Sequence, residues 1–253
     1  MRVASLGSGS KGNATLVAAS GTLLLVDCGF SAREAERRCR RLGVNPADID
    51  AILVTHEHSD HSGGVATLSR RFGLPVYLTY GTASSGRCEG CHSTHLFNAG
   101  ERFTVGDIDV SSVPVPHDAR EPCQYRLTAA GCDLGILTDL GSITPHVVES
   151  YRDCAALLLE FNHDLEMLRQ GDYPPALKQR VGGDWGHLNN GQAAQLLAAL
   201  HWPGLRDVVV AHISENNNCR MKAESAIGAV LDDLSLVTWA DQADGFGWLD
   251  LAR

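Results

Sequence analysis

Apolar residues in this chain fall in short runs that alternate with helical patterns of period near 3.6. The short runs predict strands at Val3–Leu6, Ala14–Ala18, Thr22–Val26, Ala51–Val54, Val76–Leu78, Ile108–Val113, Gln124–Thr128, Leu134–Leu137, Ala155–Leu159, Val208–Ala211 and Leu236–Thr238. Amphipathic spacing predicts helices at Ala32–Leu42, Val65–Phe72, Thr144–Ser150, Asp164–Gln170, Pro174–Val181, Gly191–Leu200 and Met221–Leu231. Ser31 and Asn190 sit where N-caps belong. Hairpin-like strands come first and strand–helix units later. That order predicts an α/β fold whose sheets carry helices on the outside. The stretch from Gly81 to Gly100 reads as a loop, and no internal repeat is visible.

With 253 residues, 44% of them apolar, the chain fits one domain over 1–253 with a sizeable core. Its formal charge of -9 excludes nucleic-acid binding through bulk positive charge. A polyanionic substrate would need metals and a local basic patch. Arg33, Arg37, Arg40 and Arg41 put such a stripe on the first helix. No run of 18 apolar residues exists, and Met1–Leu6 leads straight into Gly7-Ser8-Gly9 without an apolar signal segment. The expectation is a cytoplasmic protein without a membrane span. The eight cysteines are scattered, which suits reduced thiols.

Chemistry concentrates in Thr55-His56-Glu57-His58-Ser59-Asp60-His61, directly after the apolar run Ala51–Val54. Imidazole and carboxylate are the ligands that hold zinc, manganese or iron. Histidine is 11 of 253 residues, so three in fixed slots arise in about one window in ten thousand. His56 and His58 converge only if the chain turns, and Gly63-Gly64 permits a turn.

Further polar groups stand where apolar strands stop: His117-Asp118, Asp139, and His212. Strand ends converge on one edge of a sheet, so these residues can join the first cluster. Asp27 ends the run Leu23–Val26, in position to orient a ligating histidine. Glu160 ends Ala155–Leu159 and needs a partner if buried. His187, preceded by glycine in a loop, suits acid–base work. His163 reads equally as a hydrogen-bonded structural histidine. Ser10, Lys11 and Asn13 lie in a Gly/Ser loop that can cradle a phosphate. Cys88-x-x-Cys91, followed by His92 and His95, has the spacing of a structural zinc site.

These motifs and their order resemble the metallo-β-lactamase superfamily over most of the chain. Ser8–Asn13, Val115–Ala119, Thr138–Gly141, Glu160–Asp164, Gly186–Asn190 and His212–Asn217 further resemble its YycJ/WalJ group of 5′-to-3′ DNA exonucleases. The resemblance implies an αβ/βα four-layer sandwich, two mixed sheets packed face to face with helices outside. It implies two divalent ions, zinc or manganese, with iron also suited to the ligands. His56, His58 and His117 would hold one; Asp60, His61 and His212 the other; Asp139 would bridge. It implies a hydroxide shared by the metals that attacks phosphorus. Gly186-His187 is similar to the Gly-His motif of tRNase Z, which implies that His187 assists the leaving oxygen and pairs with Glu160, with His163 able to share the role. Ser10, Lys11 and Asn13 would contact the DNA. The alternatives are a small-substrate hydrolase of the same fold, acting on a cyclic phosphodiester or a thioester, and an inactive metal-binding partner protein.

Overall fold

The computed structural model describes residues 1–251; the last two residues of the expected 1–253 domain lie outside the described residues. The chain runs β1 (Arg2–Gly7), β2 (Ala14–Ala19), β3 (Thr22–Val26), α1 (Ala32–Arg41), β4 (Ala51–Leu53), α2 (Ser59–Ser62), α3 (Val65–Phe72), β5 (Pro75–Thr79), α4 (Tyr80–Ser84), β6 (Ser93–Phe97) and β7 (Arg102–Val105). It continues β8 (Ile108–Pro114), β9 (Cys123–Ala129), β10 (Cys132–Leu137), α5 (Pro145–Ser150), β11 (Ala156–Glu160), α6 (Leu165–Gln170), α7 (Pro175–Val181), α8 (Asn190–Leu200), β12 (Asp207–Ala211), α9 (Arg220–Ile227), β13 (Val237–Trp239) and β14 (Phe246–Asp250).

One sheet has the order β14-β1-β2-β3-β4-β5-β6 and the other β13-β12-β11-β10-β9-β8-β7. Both sheets obey the same rule. In the first, β14 to β3 pair antiparallel and β3 to β6 parallel. In the second, β7 to β10 pair antiparallel and β10 to β13 parallel. Period-2 alternation then sorts side chains into layers. Leu24, Val26, Leu134, Ile136, Leu158 and Val209 fill the space between the sheets. Leu25, Ile52 and Val54 face the other way, under Ala35, Cys39 and Leu68 of α1 and α3. Leu157, Leu159, Val208 and Val210 pack on Ala193, Leu197 and Ala223 of α8 and α9. The result is the expected four-layer αβ/βα sandwich. No helix among the described residues is long and apolar enough to cross a membrane.

Three local expectations are corrected. The stretch from Gly81 to Gly100 is not a plain loop; it holds most of α4 and all of β6. β6 escapes notice because it is an edge strand with exposed Thr94, His95 and Leu96, so its pattern lacks an apolar run. The N-cap of α8 is Asn189, not Asn190. The Asn189 side chain accepts from Gln192 N while Gln192 Oε1 accepts from Asn189 N. The α1 arginines do not form a bare basic stripe. Arg37 and Arg40 pair with Glu34 and Glu36 at 2.6 Å, and Arg41 pairs with Asp244.

The capping box yields a test. Asn189→Ala should cost about 1 kcal/mol, lowering the melting midpoint by about 2–4 °C. An unchanged midpoint would remove the cap assignment.

Candidate metal centre and cleft

The strands β3, β4, β8, β10, β11 and β12 all end at one edge of the sandwich. The segments that follow them supply Asp27, the 55–61 turn, His117, Asp139 and His212, and Glu160 is the last residue of β11. The 55–61 turn is shaped by the one-turn helix α2, and its backbone is tied down from neighbouring loops. Cys28 N donates to His61 O, Asn13 N to Asp60 O, and Gly64 N to Cys28 O, each at 2.7 Å. Gly64 therefore serves close approach rather than an unusual turn: a Cβ there would lie 1.8 Å from Phe30 O. Asp27, Asp139 and His212 adopt left-handed backbone, with φ of 60°, 53° and 52°. Such strain, ~1–2 kcal/mol per residue, is held in place by surrounding contacts and turns each side chain into the edge.

Three groups of donors form there, the third of which, Glu160, His187 and His212, shares His212 with the second. The ligand atoms of His56, His58 and His117 lie within 4.8 Å of one another, as do those of Asp60, His61, Asp139 and His212. Asp139 stands between the first two groups. Its Oδ2 is 2.9 Å from His61 Nε2, and its Oδ1 is 3.7 Å from His117 Nε2. Every imidazole of the first two groups except His58 is aimed by a partner on its far nitrogen. Gly186 O accepts from His117 Nδ1 at 3.0 Å, and Asp27 Oδ2 from His61 Nδ1 at 2.8 Å. Thr55 donates its hydroxyl to Asp27 Oδ2 at 2.8 Å and sits 2.9 Å from His56 Nδ1. Glu160 Oε2 lies 3.2 Å from both His212 Nδ1 and His187 Nδ1. Asp27 and Glu160 each orient two imidazoles, Asp27 reaching His56 through Thr55.

The donor set fits divalent cations on internal evidence. His56 Nε2, His212 Nε2 and Asp139 Oδ2 are buried without a hydrogen-bond partner. With Nδ1 of His61 donating to Asp27, its Nε2 lone pair faces the Asp139 carboxylate, and two lone pairs 2.9 Å apart need a cation or proton between them. Asp27, Asp139 and Glu160 are buried, and among the described residues none pairs with lysine or arginine. Burial alone would raise the Glu160 carboxyl, but His187 and His212 outweigh it and hold it at about 2. Burial likewise disfavours charge on His61, yet Asp139, Asp60 and Asp27 together raise it well above its ordinary value. The cluster thus attracts positive charge.

A cleft of about 400 Å³ opens over these groups, lined by residues that include Ser10, His58, Asp60, Arg87, Arg180 and His187. A separate groove of about 740 Å³ runs along α1 and contains none of the ligand candidates. The loop residues expected to meet substrate divide. Ser10 lines the cleft. Lys11 pairs with exposed Glu215 at 2.7 Å. Asn13 is buried; its amide shapes the loop through Gly9 and approaches His61 Nε2 at 3.0 Å. His163 is buried against Asn162, which in turn donates to His212 O, and burial pulls its imidazole down to about 4. It joins none of the three donor groups. Cys88 and Cys91 find no third ligand: no group of three donors among the described residues contains them. All eight cysteines are free thiols. Sequence reading missed Thr55, Arg87 and Arg180. Thr55 carried a faint signal, a hydroxyl directly before the first histidine; the two arginines carried none.

Two face-to-face sheets with outer helices and a His/Asp cluster at the shared strand-end edge define a metal-dependent hydrolase of the metallo-β-lactamase type. Residues 22–213 match the family model of the β-lactamase superfamily domain. The exodeoxyribonuclease YycJ of Bacillus anthracis is 36% identical over 90% of this chain and 88% of its own. The exodeoxyribonuclease WalJ of Streptococcus pneumoniae is 35% identical over 85% of this chain and 82% of its own. The metallo-β-lactamase fold protein YhfI of Bacillus subtilis superposes with a TM-score of 0.77 at 17% identity, covering 98% of this chain and 99% of that one. The chain belongs to the β-lactamase superfamily and groups there with the YycJ and WalJ proteins.

Asp27 touches no cleft space yet aims His61 directly and His56 through Thr55. Asp27→Asn should weaken divalent-metal binding about 10–100-fold, measured by competition with a chromogenic chelator. Wild-type affinity in that variant would show that the histidines are aimed by something else.

Proposed function

We propose that this chain, acting as one domain, is a metal-dependent 5′-to-3′ exodeoxyribonuclease that hydrolyses phosphodiester bonds. The observation that carries the reading is Glu160. It is fully buried, touches His212 of one donor group, and touches His187 at the cleft. A histidine oriented by a buried carboxylate beside a metal-binding set is the pairing that leaving-group protonation requires. The names of the YycJ and WalJ relatives supply the polymer, DNA.

His56, His58 and His117 would hold one divalent ion and Asp60, His61 and His212 a second, with Asp139 shared. The mixed His/Asp set suits zinc, manganese or iron. Bound there, such ions supply Lewis-acid polarisation of phosphoryl oxygens and an activated water.

The remaining work falls to the protein. Glu160 Oε2 accepts from His187 Nδ1, so the cleft-lining ring gives a proton from Nε2 as the imidazolium, protonated on both nitrogens. As the bond to the leaving oxygen breaks, that proton moves from His187 to the oxygen. The ionised Glu160 stabilises the histidine through the step. Leu140 N and Leu188 N donate to Glu160 Oε1 at 2.8 and 3.1 Å, so the carboxylate keeps its orientation throughout. Arg87 gives the cleft wall positive charge for phosphates, although the chain as a whole is acidic.

The test is digestion of 5′-phosphorylated duplex DNA, end-labelled separately at each terminus, by protein loaded with manganese or zinc. Stepwise release from the 5′ end, abolished by chelator, is the expected result. His187→Ala should lower kcat about 10²–10⁴-fold with metal content intact. Asp139→Ala should cost several decades, each about 1.4 kcal/mol of barrier, and lose metal. A protein that binds metal, leaves DNA whole and hydrolyses bis(p-nitrophenyl) phosphate would move the assignment to a small phosphodiester.

A further inference from the structure

Trp185 is 63% exposed, two residues before His187. Water contact over that much of an indole forgoes a large apolar burial, which a flat aromatic ligand would restore. The backbone of Trp185 is fixed. Asp118 N donates to its carbonyl at 2.9 Å, and Asp118 lines the cleft. On its C-terminal side, Gly186 N donates to Gly183 O at 2.8 Å and Gly186 O receives His117 Nδ1. On the far side the 184–185 backbone packs on Gly141, where a Cβ would lie 2.6 Å from Trp185 Cα. The segment whose Gly186 and His187 line the cleft therefore also carries, just outside that lining, an indole left in solvent.

We propose that Trp185 is a stacking platform for a nucleobase at the end of the nucleic-acid strand entering the cleft. The proposal rests on the nuclease reading above and names the contact that reading lacks. A chain of net charge -9 gains little from bulk attraction to a polyanion. Within the cleft, the Arg180 guanidinium is already engaged by Asp118. Base stacking supplies affinity that does not depend on charge. It is also tolerant of sequence, because every base has a π-face, which suits an enzyme that must accept each terminal nucleotide in turn. The other tryptophans do not compete for this role: Trp202, Trp239 and Trp248 are partly buried in the helix-side cores.

The experiment measures steady-state digestion of 5′-phosphorylated single-stranded oligonucleotides by metal-loaded wild type, Trp185→Ala and Trp185→Phe. Parallel substrates carry an abasic site in place of each of the first few nucleotides. Melting midpoint and metal content are recorded for each variant, to separate misfolding from lost contact. Trp185→Ala is expected to raise KM about 5- to 150-fold, with the loss falling on KM rather than kcat, and Trp185→Phe to recover most of it. One abasic position should cost the wild type a similar factor and cost Trp185→Ala almost nothing further. A folded, metal-replete Trp185→Ala that digests DNA with wild-type KM would overturn the stacking role and leave the nuclease reading standing. A wild type that neither binds nor cuts any DNA would overturn both.

Discussion

Buried negative charge is the constraint on which this structure turns. Asp27, Asp139 and Glu160 are each 3% exposed or less, and they share one edge of the sandwich without a lysine or arginine partner among the described residues. Isolated carboxylates in such a place would cost several kcal/mol each. Here imidazoles surround them, and the inward nitrogens of those imidazoles are left to cations. The arrangement is stable only as a whole. Asp27 without His61 and Thr55, or Glu160 without His187 and His212, is an uncompensated charge.

The sandwich exists to bring these groups together. The two sheets share a pattern, an antiparallel half followed by a parallel half, and the parallel halves end at the same edge. Hydrogen bonds across the edge hold the halves in register. Tyr125 donates its hydroxyl to Val54 O at 2.7 Å, Cys123 N donates to Thr55 O, and His212 N donates to Ser8 Oγ. Each bond joins a residue of one sheet to the site-bearing segment of the other. The left-handed backbone at Asp27, Asp139 and His212 is the local cost of turning strand-end side chains inward.

Function follows from an asymmetry within the site. Most of the imidazoles are buried; of the two that share the buried Glu160 carboxylate at the cleft, His187 is partly exposed and His212 is not. That contrast separates groups suited to holding ions from a group suited to moving a proton. Because Glu160 contacts both His187 and His212, the proposed proton donor and the candidate metal-binding set are built on one residue. The cleft above them has few basic groups, so binding there depends on local contacts more than on the field of the whole molecule.

The class of fold and nearly all of the candidate ligands were legible in the chain itself. Strands such as Thr22–Val26 and helices such as Val65–Phe72 announce themselves because burial forces a period of 2 or 3.6 on the apolar residues. The candidate ligands announce themselves because metal-binding residue types at strand ends are rare by chance. Edge strand β6 was not legible, since a half-exposed strand is under no such pressure. Neither was the shared pattern of the two sheets, which lives in hydrogen-bond pairing and leaves no repeat in the residues. Lys11 and Asn13 looked alike as loop residues; one turned outward to Glu215 and the other inward to His61. Thr55, the α1 ion pairs and the clamped backbone of Trp185 likewise depend on residues far apart in the chain. Local sequence determines which groups are available and which surfaces must be buried. Only the tertiary structure decides which of them meet, because that depends on how the two sheets face each other.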